Sequence, residues 1–576
     1  MNTLNSKKVE INIYTIVIFF RIWLGQYLGA WLPAEQIHDD ALMVNYADLY
    51  SHYISKDLPE QINMVKEMIY PLFLNIVHWS GLDYSLVVTI IWIIASFLVL
   101  KLCRNFIENK KILFLIFLFV LFTPSAFDLW LGTRVYRNAI IAPVTLIVFS
   151  LLLILDCNLL FNKKNNIVTA IFLGLFFFVS YYIKEDGIWI LACLLFNDVI
   201  IIIVNLLINF KKEKKHILIK KELYMLGIFC IPLAIHFGCT HIYKSVNEYY
   251  YGVYETNTRT EGELGDFVKN IYKIDSNDRT PEIWAPYDSI KKAFKVSPTL
   301  KQYPELLQCI EQSPWVSGNI SENPISGDFL TWIIRDALVD ADIWKNEKQI
   351  QKLFSKVNDE LEEAFKNGIL EKENKIQLVS SMGGRSVSEI FQLKDVIIEE
   401  YKSLIFLKGY EPGGTLTQSE VENVNDEASF YANMDLHPLS EKLAVKREKE
   451  ITVINNIVKI IFKTYSIIYP IMCLLAVLGV IVTFVRQMML WMNKHKINII
   501  KMALWFMTVS TTGISFAYTL SIGWFSSFLD RNSWPTVLKF YSVGAIPLMI
   551  LIEVVGSYLF ISEIIEIRKE YVEKHY

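Results

Sequence analysis

Hydrophobic and polar positions divide this 576-residue chain into three parts. Apolar runs of bilayer-spanning length recur at residues 11–32, 84–102, 112–131, 138–156, 167–183, 187–209 and 223–243. Three more follow at 462–485, 497–521 and 536–561. Between the two groups, residues 244–455 are polar with helical periodicity. Over Gln349–Phe365, for example, Ile350, Leu353, Phe354, Val357, Leu361 and Phe365 fall on one face. The pattern predicts an α-helical polytopic membrane protein of about ten transmembrane helices, with a mostly helical domain inserted after the seventh. Its parts are a seven-span module (1–243), the inserted domain (244–455) and three C-terminal spans (456–576). Residues 64–80 read as a further half-buried helix, and Gly409–Asp435 as a long loop or lid.

The loop after the first span, residues 33–66, carries a pattern of its own. Pro33 stops the preceding helix, and His38, Asp39 and Asp40 stand just before Leu42, Tyr46, Leu49, Tyr50 and Tyr53, which recur at helical spacing. The spacing predicts a short helix lying along a membrane surface, with two carboxylates at its N-terminus.

Composition agrees with the pattern: 53% of residues are hydrophobic, 14% are aromatic, and the mean hydropathy is +0.33. The net charge of −3 is unevenly spread, because residues 244–455 hold 36 acidic and 25 basic side chains. An acidic soluble portion argues against nucleic acid as a partner. Alternate turns between spans collect about 21 basic residues on one side and about six on the other, which orients both termini to the cytoplasm. The inserted domain and the loop bearing Asp39 then lie outside, in a multi-pass protein of the cell membrane. The first apolar segment follows Lys7 and Lys8 but contains Arg21 and lacks a small-residue cleavage site, so it reads as a retained span. Seven cysteines show neither a disulfide framework nor zinc spacing.

Asp39 and Asp40 admit two roles. An acid before a helix caps it and complements its dipole. A carboxylate at a membrane surface also suits a general base that takes the proton of an attacking hydroxyl. His38 stands beside them as a substrate contact. No cofactor is called for; a divalent metal is compatible with the chemistry, but no second cluster with metal-site spacing indicates one. Arg134 and Arg137, three apart at the mouth of the fourth span, read as one helical face. They either snorkel to headgroups or clamp a phosphate. Lys184, Glu185 and Asp186, followed by Gly187, interrupt an apolar run, as ordinary turn chemistry or as further substrate contacts. Within the bilayer, Arg21 and Glu553 are candidates for an interior ion pair.

Three strings, Ile37-His-Asp-Asp-Ala-Leu42, Lys66-Glu-Met-Ile-Tyr-Pro-Leu-Phe-Leu74 and Tyr182-Ile-Lys-Glu-Asp-Gly-Ile-Trp189, are similar to bacterial members of the GT-C superfamily of membrane glycosyltransferases. The resemblance covers about residues 11–243. It implies that Asp39 or Asp40 is the catalytic base and that the donor is a polyprenyl-phosphate sugar. Its phosphate would lie near Arg134, Arg137 and Lys184, and the transfer would invert configuration. The acceptor would be an extracytoplasmic glycan, lipid or protein. The chain departs from better-known members in placing its soluble domain after span seven. Two other classes compete. A lipid-linked glycan polymerase or ligase would centre on Arg and His of the external domain, where His437 is the one histidine. A transporter or scaffold would show paired repeats, and none is visible.

Overall fold

The computed structural model describes residues 2–33, 38–161, 163–209, 214–316, 318–414, 426–437, 439–493 and 498–575. Among them the chain is α-helical, with no β-strand. Eight helical stretches are long and apolar enough to cross a membrane: Ile11–Leu28, Tyr84–Cys103, Asn138–Leu160, Ile188–Leu207, Lys215–Tyr251, Glu448–Met492, Ile499–Ser526 and Arg531–Glu573. This is the make-up of an α-helical polytopic membrane protein.

The N-terminal part runs through α1 (Asn2–Leu28), α2 (His38–Ala47), α3 (Ile69–Ser80), α4 (Tyr84–Cys103), α5 (Lys110–Leu121), α6 (Asn138–Leu160), α7 (Asn166–Tyr182), α8 (Ile188–Asn209) and α9 (Lys215–Tyr251). Helix α6 is apolar all round and buried along nearly its whole length, so it forms the centre, packed by α4 and α7.

One of the ten apolar segments differs from the span expected. Helix α7 has the length expected over 167–183, 17 residues, but over 112–131 helix α5 stops at Leu121 after 12. Pro124 has no N–H to continue the ladder, and residues beyond it turn into a buried loop. That early stop corrects a second expectation. Arg21 does not meet Glu553: its guanidinium donates to the Leu121 carbonyl (3.2 Å), left free where α5 ends, and to Thr89 Oγ1 (3.2 Å). The Phe127 ring lies against it, 4.3 Å from centroid to guanidinium.

The surface helix expected over 42–53 is also interrupted. Asp48 accepts hydrogen bonds from the N–H groups of Tyr50 and Ser51 and from Ser51 Oγ (3.1, 3.2 and 2.6 Å), which starts a separate wide turn over Ser51–Ser55. Leu42 and Tyr46 are buried in the bundle while Tyr50 is exposed, so the five residues do not share one face.

The stretch 244–455 divides its packing. Helix α9 continues unbroken to Tyr251. Helices α10 (Gly262–Lys273), α11 (Tyr287–Val296), α12 (Pro304–Glu311), α13 (Leu330–Asp340) and α14 (Glu347–Lys366) enclose a separate core that includes Leu264, Phe267, Trp284, Ile333 and Phe354. Next come α15 (Val387–Gln392), α16 (Lys394–Phe406), α17 (Asp426–Ala432) and α18 (Glu441–Lys446). Of these, α17 packs on α2 and α3. Most of the loop expected over Gly409–Asp435, residues 415–425, lies outside the described residues. The chain ends with α19 (Glu448–Met492), α20 (Ile499–Ser526), α21 (Trp534–Tyr541) and α22 (Ile546–His575), and α16 rests on α19, α20 and α21. Gly479 and Gly556 face each other where α19 and α22 cross, and a Cβ on either would strike the opposite helix.

One buried carboxylate joins the three parts. Asp128, in the loop after α5, accepts from its own loop at Trp130 N and Leu131 N (3.0 and 3.1 Å). It also accepts from Glu411 N (2.8 Å) and from Lys539 Nζ on α21 (3.0 Å). Both side chains of the Asp128–Lys539 pair are fully buried. Lys539→Met leaves the carboxylate buried without its counter-ion. It is expected to destabilise the fold by roughly 3–5 kcal/mol, measured by unfolding in mixed detergent, with Asp128→Asn in the same background recovering part of the loss.

Candidate functional site

The loop from Asp128 to Asn138 is held against the end of α1, and that contact places the first candidate residues. Trp31 N donates to Thr133 O and Val135 N to Trp31 O, both at 2.9 Å, while Trp31 Nε1 donates to Leu129 O (2.6 Å). Arg134 and Arg137 therefore lie in this pinned segment, before α6 begins at Asn138, and not on one helical face as their spacing predicts.

Arg134 points into the protein and closes on Asp40. Its Nε donates to Oδ1 (3.0 Å) and its Nη2 to Oδ2, a two-point fork. The rings of Trp130, Tyr136 and Phe540 surround the guanidinium at 5.0–5.5 Å. The Asp40 side chain is 0% exposed. Burial pushes its carboxyl up, and Arg134 opposes that shift. The pair is a structural lock, with both oxygens of Asp40 and the fork of Arg134 occupied.

Asp39 is the member of the pair that opens to solvent, with 32% of its side chain exposed. It faces Lys66 Nζ at 2.9 Å, accepts from Tyr136 OH at 3.1 Å and lies 3.7 Å from Arg137 Nη2. Burial acts to raise its pKa, but the Lys66 ammonium and the Arg137 guanidinium outweigh it and hold the carboxyl at about 2. His38 opens α2 beside it; its side chain lies outside the described residues.

The turn between α7 and α8 contributes the next group. Glu185 turns inward and accepts from Arg137 Nη1 (2.8 Å), with Lys66 at 3.7 Å and Arg259 at 3.8 Å. Burial penalises this carboxylate, yet Arg137, Lys66 and Arg259 together hold it well below the usual carboxylate range. Lys184 and Asp186 turn aside, 3.4 Å from each other, with Lys184 5.3 Å from the centre of the Tyr541 ring. Gly187 closes the turn so tightly that a Cβ would strike the Tyr181 carbonyl.

Two cations of this cluster were not among the sequence candidates. Lys66, 3% exposed, lies just before α3 in one of the strings that carry the family resemblance. Arg259 arrives from the stretch after α9, where Thr256-Asn-Thr-Arg-Thr260 gives no local signal. It bridges Glu185 and Asp328 (3.3 Å), and the Trp332 ring lies within 6.0 Å of both Arg259 and Lys66.

Backbone and side-chain contacts hold Arg259 there. Thr258 N donates to Met64 O (2.6 Å), and Arg335 ties Gln61 O, Thr258 and Glu347 together. Glu67, next to Lys66, accepts from Tyr243 OH (3.0 Å), Thr256 Oγ1 (3.0 Å) and Asn257 Nδ2 (2.6 Å).

The assembled site is thus a charged cluster of Asp39, Lys66, Arg137, Glu185 and Arg259, from five separated stretches of chain. It pairs a solvent-open carboxylate with cations in reach of the same space. Among the described residues, no group of three His, Cys, Asp or Glu side chains is placed to hold a metal ion. His437 lies in an exposed turn, paired with Asp435 at 2.8 Å. Comparison with protein-family models, with curated proteins and with solved structures gives no match for this chain.

Asp40→Asn is expected to lower the apparent Tm and the folded yield, because it strands Arg134 in an apolar box. Asp39→Asn, which leaves Lys66 and Arg137 to Glu185, is expected to lower both by less; thermal scanning of the two variants in one detergent checks the difference. Glu67 gives a pH signature. Burial first, then Glu261 and Glu185, raise it from 4.5 to about 8. The folded state then keeps a proton that the unfolded chain releases, so stability falls as pH rises through that window. The apparent Tm is expected to drop by a few degrees between pH 5 and 8, and Glu67→Gln to flatten that slope.

Proposed function

We propose that this protein is an integral membrane glycosyltransferase that moves a sugar from a polyprenyl-phosphate donor to an extracytoplasmic acceptor, with Asp39 as general base. The observation that carries the reading is the difference between the two adjacent acids. Asp40 is spent inside the fold, whereas Asp39 reaches solvent among Lys66, Arg137 and Tyr136. A base that must meet a hydroxyl stands within 3.7 Å of the cations that must meet a phosphate.

In this reading the acceptor oxygen attacks the anomeric carbon from the face opposite the lipid phosphate. The bond from that carbon to the phosphate oxygen breaks, and the electron pair leaves with the polyprenyl phosphate. The hydroxyl proton passes to Asp39, and configuration inverts. Lys66 and Arg137 meet the charge that grows on the leaving phosphate. At a pKa of about 2 Asp39 is a weak base. A bound phosphate that draws Lys66 and Arg137 away would return it toward ordinary carboxylate basicity, so the base is strengthened when the donor is in place. Arg134, closed on Asp40, acts here as a support and not as a phosphate ligand.

The topology belongs to the same reading. Ten spans with both termini cytoplasmic would place the turns carrying Asp39, Arg137 and Glu185 on the outer side. The fit of these turns to one cluster supports that arrangement.

The test is transfer of label from a panel of radiolabelled polyprenyl-phosphate sugars by purified protein. Wild type is expected to transfer or slowly hydrolyse one donor, and Asp39→Asn to lose roughly two to four orders of magnitude. Equal activity in wild type and Asp39→Asn would remove the base from Asp39. A folded protein that neither binds nor consumes any donor would overturn the reading.

A further inference from the structure

Glu185 is the one carboxylate of the cluster that sits among three cations. Its side chain is 7% exposed, with Arg137 at 2.8 Å, Lys66 at 3.7 Å and Arg259 at 3.8 Å. Those cations come from three unrelated stretches of chain, so nothing local in the sequence brings them together. Each is itself largely buried, with side-chain exposures of 6% for Arg137, 3% for Lys66 and 13% for Arg259.

Glu185 is the carboxylate common to all three, while Asp39 also meets Lys66 and Arg137 and Asp328 meets Arg259; together they serve the set incompletely. The Nε of Arg137 and the Nε of Arg259 are buried without a hydrogen-bond partner, and Glu185 Oε1 accepts no hydrogen bond. Buried guanidinium donors left unpaired are costly. A tetrahedral phosphate, whose oxygens point in several directions, satisfies forked donors arriving from separate stretches better than a planar carboxylate does, and the monoester left after transfer carries a second charge.

We propose that Glu185 is the resident counter-ion of a phosphate site built by Lys66, Arg137 and Arg259, and that a phosphate enters by exchange with it. The proposal rests on the donor class of the preceding section and adds two elements. Arg259, supplied from beyond α9, is a direct phosphate ligand. Glu185 holds the three cations together while the site is empty, then swings out on the α7–α8 turn. The cost of displacing it makes the empty site indifferent to weak anions. Lys184 and Asp186, paired with each other beside it, leave the turn's remaining charges balanced.

The experiment uses full-length protein in nanodiscs, with binding read from tryptophan fluorescence; Trp332, close to Lys66 and Arg259, is an internal reporter. The probes are a polyprenyl phosphate without sugar and, separately, inorganic phosphate. Glu185→Gln removes the competing anion and is expected to tighten polyprenyl phosphate binding by roughly tenfold or more. Arg259→Gln is expected to weaken it by a similar factor. Tightening of inorganic phosphate binding by Glu185→Gln would assign recognition to the phosphate itself. Tightening of the lipid probe alone would assign it to the phosphate held with its chain; both outcomes support exchange.

A second measurement covers a Glu185→Gln protein that fails to fold. In the wild type, carbodiimide labelling of Glu185, followed by mass spectrometry, is expected to rise when polyprenyl phosphate is bound. Unchanged or weaker binding by folded Glu185→Gln, or labelling that falls on binding, overturns the exchange while leaving the donor class standing. A wild type that binds neither probe, with Glu185→Gln folded and equally silent, overturns the donor class itself.

Discussion

The fork between Arg134 and Asp40 is the contact on which the site depends. Burying an ion pair is favourable only when its geometry is good and its remaining hydrogen-bonding capacity is met, and here both conditions hold. Both oxygens of Asp40 are engaged, and three aromatic rings wall in the guanidinium. The consequence is positional. Asp40 is fixed to Arg134 in the loop before α6, and Asp39, one helix step away, is left at the solvent-open edge beside Tyr136 and Arg137 of the same loop. Two residues adjacent in sequence acquire different surroundings because one of them has been taken out of water.

The same logic extends outward. Asp128 gathers its own loop, the Glu411 backbone and Lys539, so the loop bearing Arg134 and Arg137 cannot drift relative to α21. Glu67 and Arg335 fasten the stretch after α9 to the residues beside Lys66. Each fastening is a buried polar group with several partners, the kind of contact that is expensive to break and therefore precise in placement. Arg259 enters the cluster as the end of that chain of fastenings.

A cluster with three cations and two carboxylates packed within hydrogen-bond and ion-pair distances is poised, not inert. Its carboxylates are held ionised by their neighbours, and its cations are held in place by the carboxylates. Under the proposed function, an incoming anion would change the partners and with them the basicity of Asp39, coupling binding to chemistry through shared counter-ions.

The sequence by itself determined the helical class and most of the apolar segments, because bilayer-length runs are local signals. Glu185 and Arg137 could be singled out for the same reason: a charge interrupting or flanking an apolar run is visible in one dimension. Tertiary structure alone decided the rest. It ended α5 at Leu121 and thereby gave Arg21 a carbonyl partner in place of Glu553. It broke the expected surface helix at Asp48 and drew Arg134 inward. It also brought Lys66 and Arg259 to Glu185 across almost two hundred residues of chain. Which of two neighbouring acids is buried, and which cation reaches it, depends on how segments pack. A pattern read along the chain carries no record of that packing.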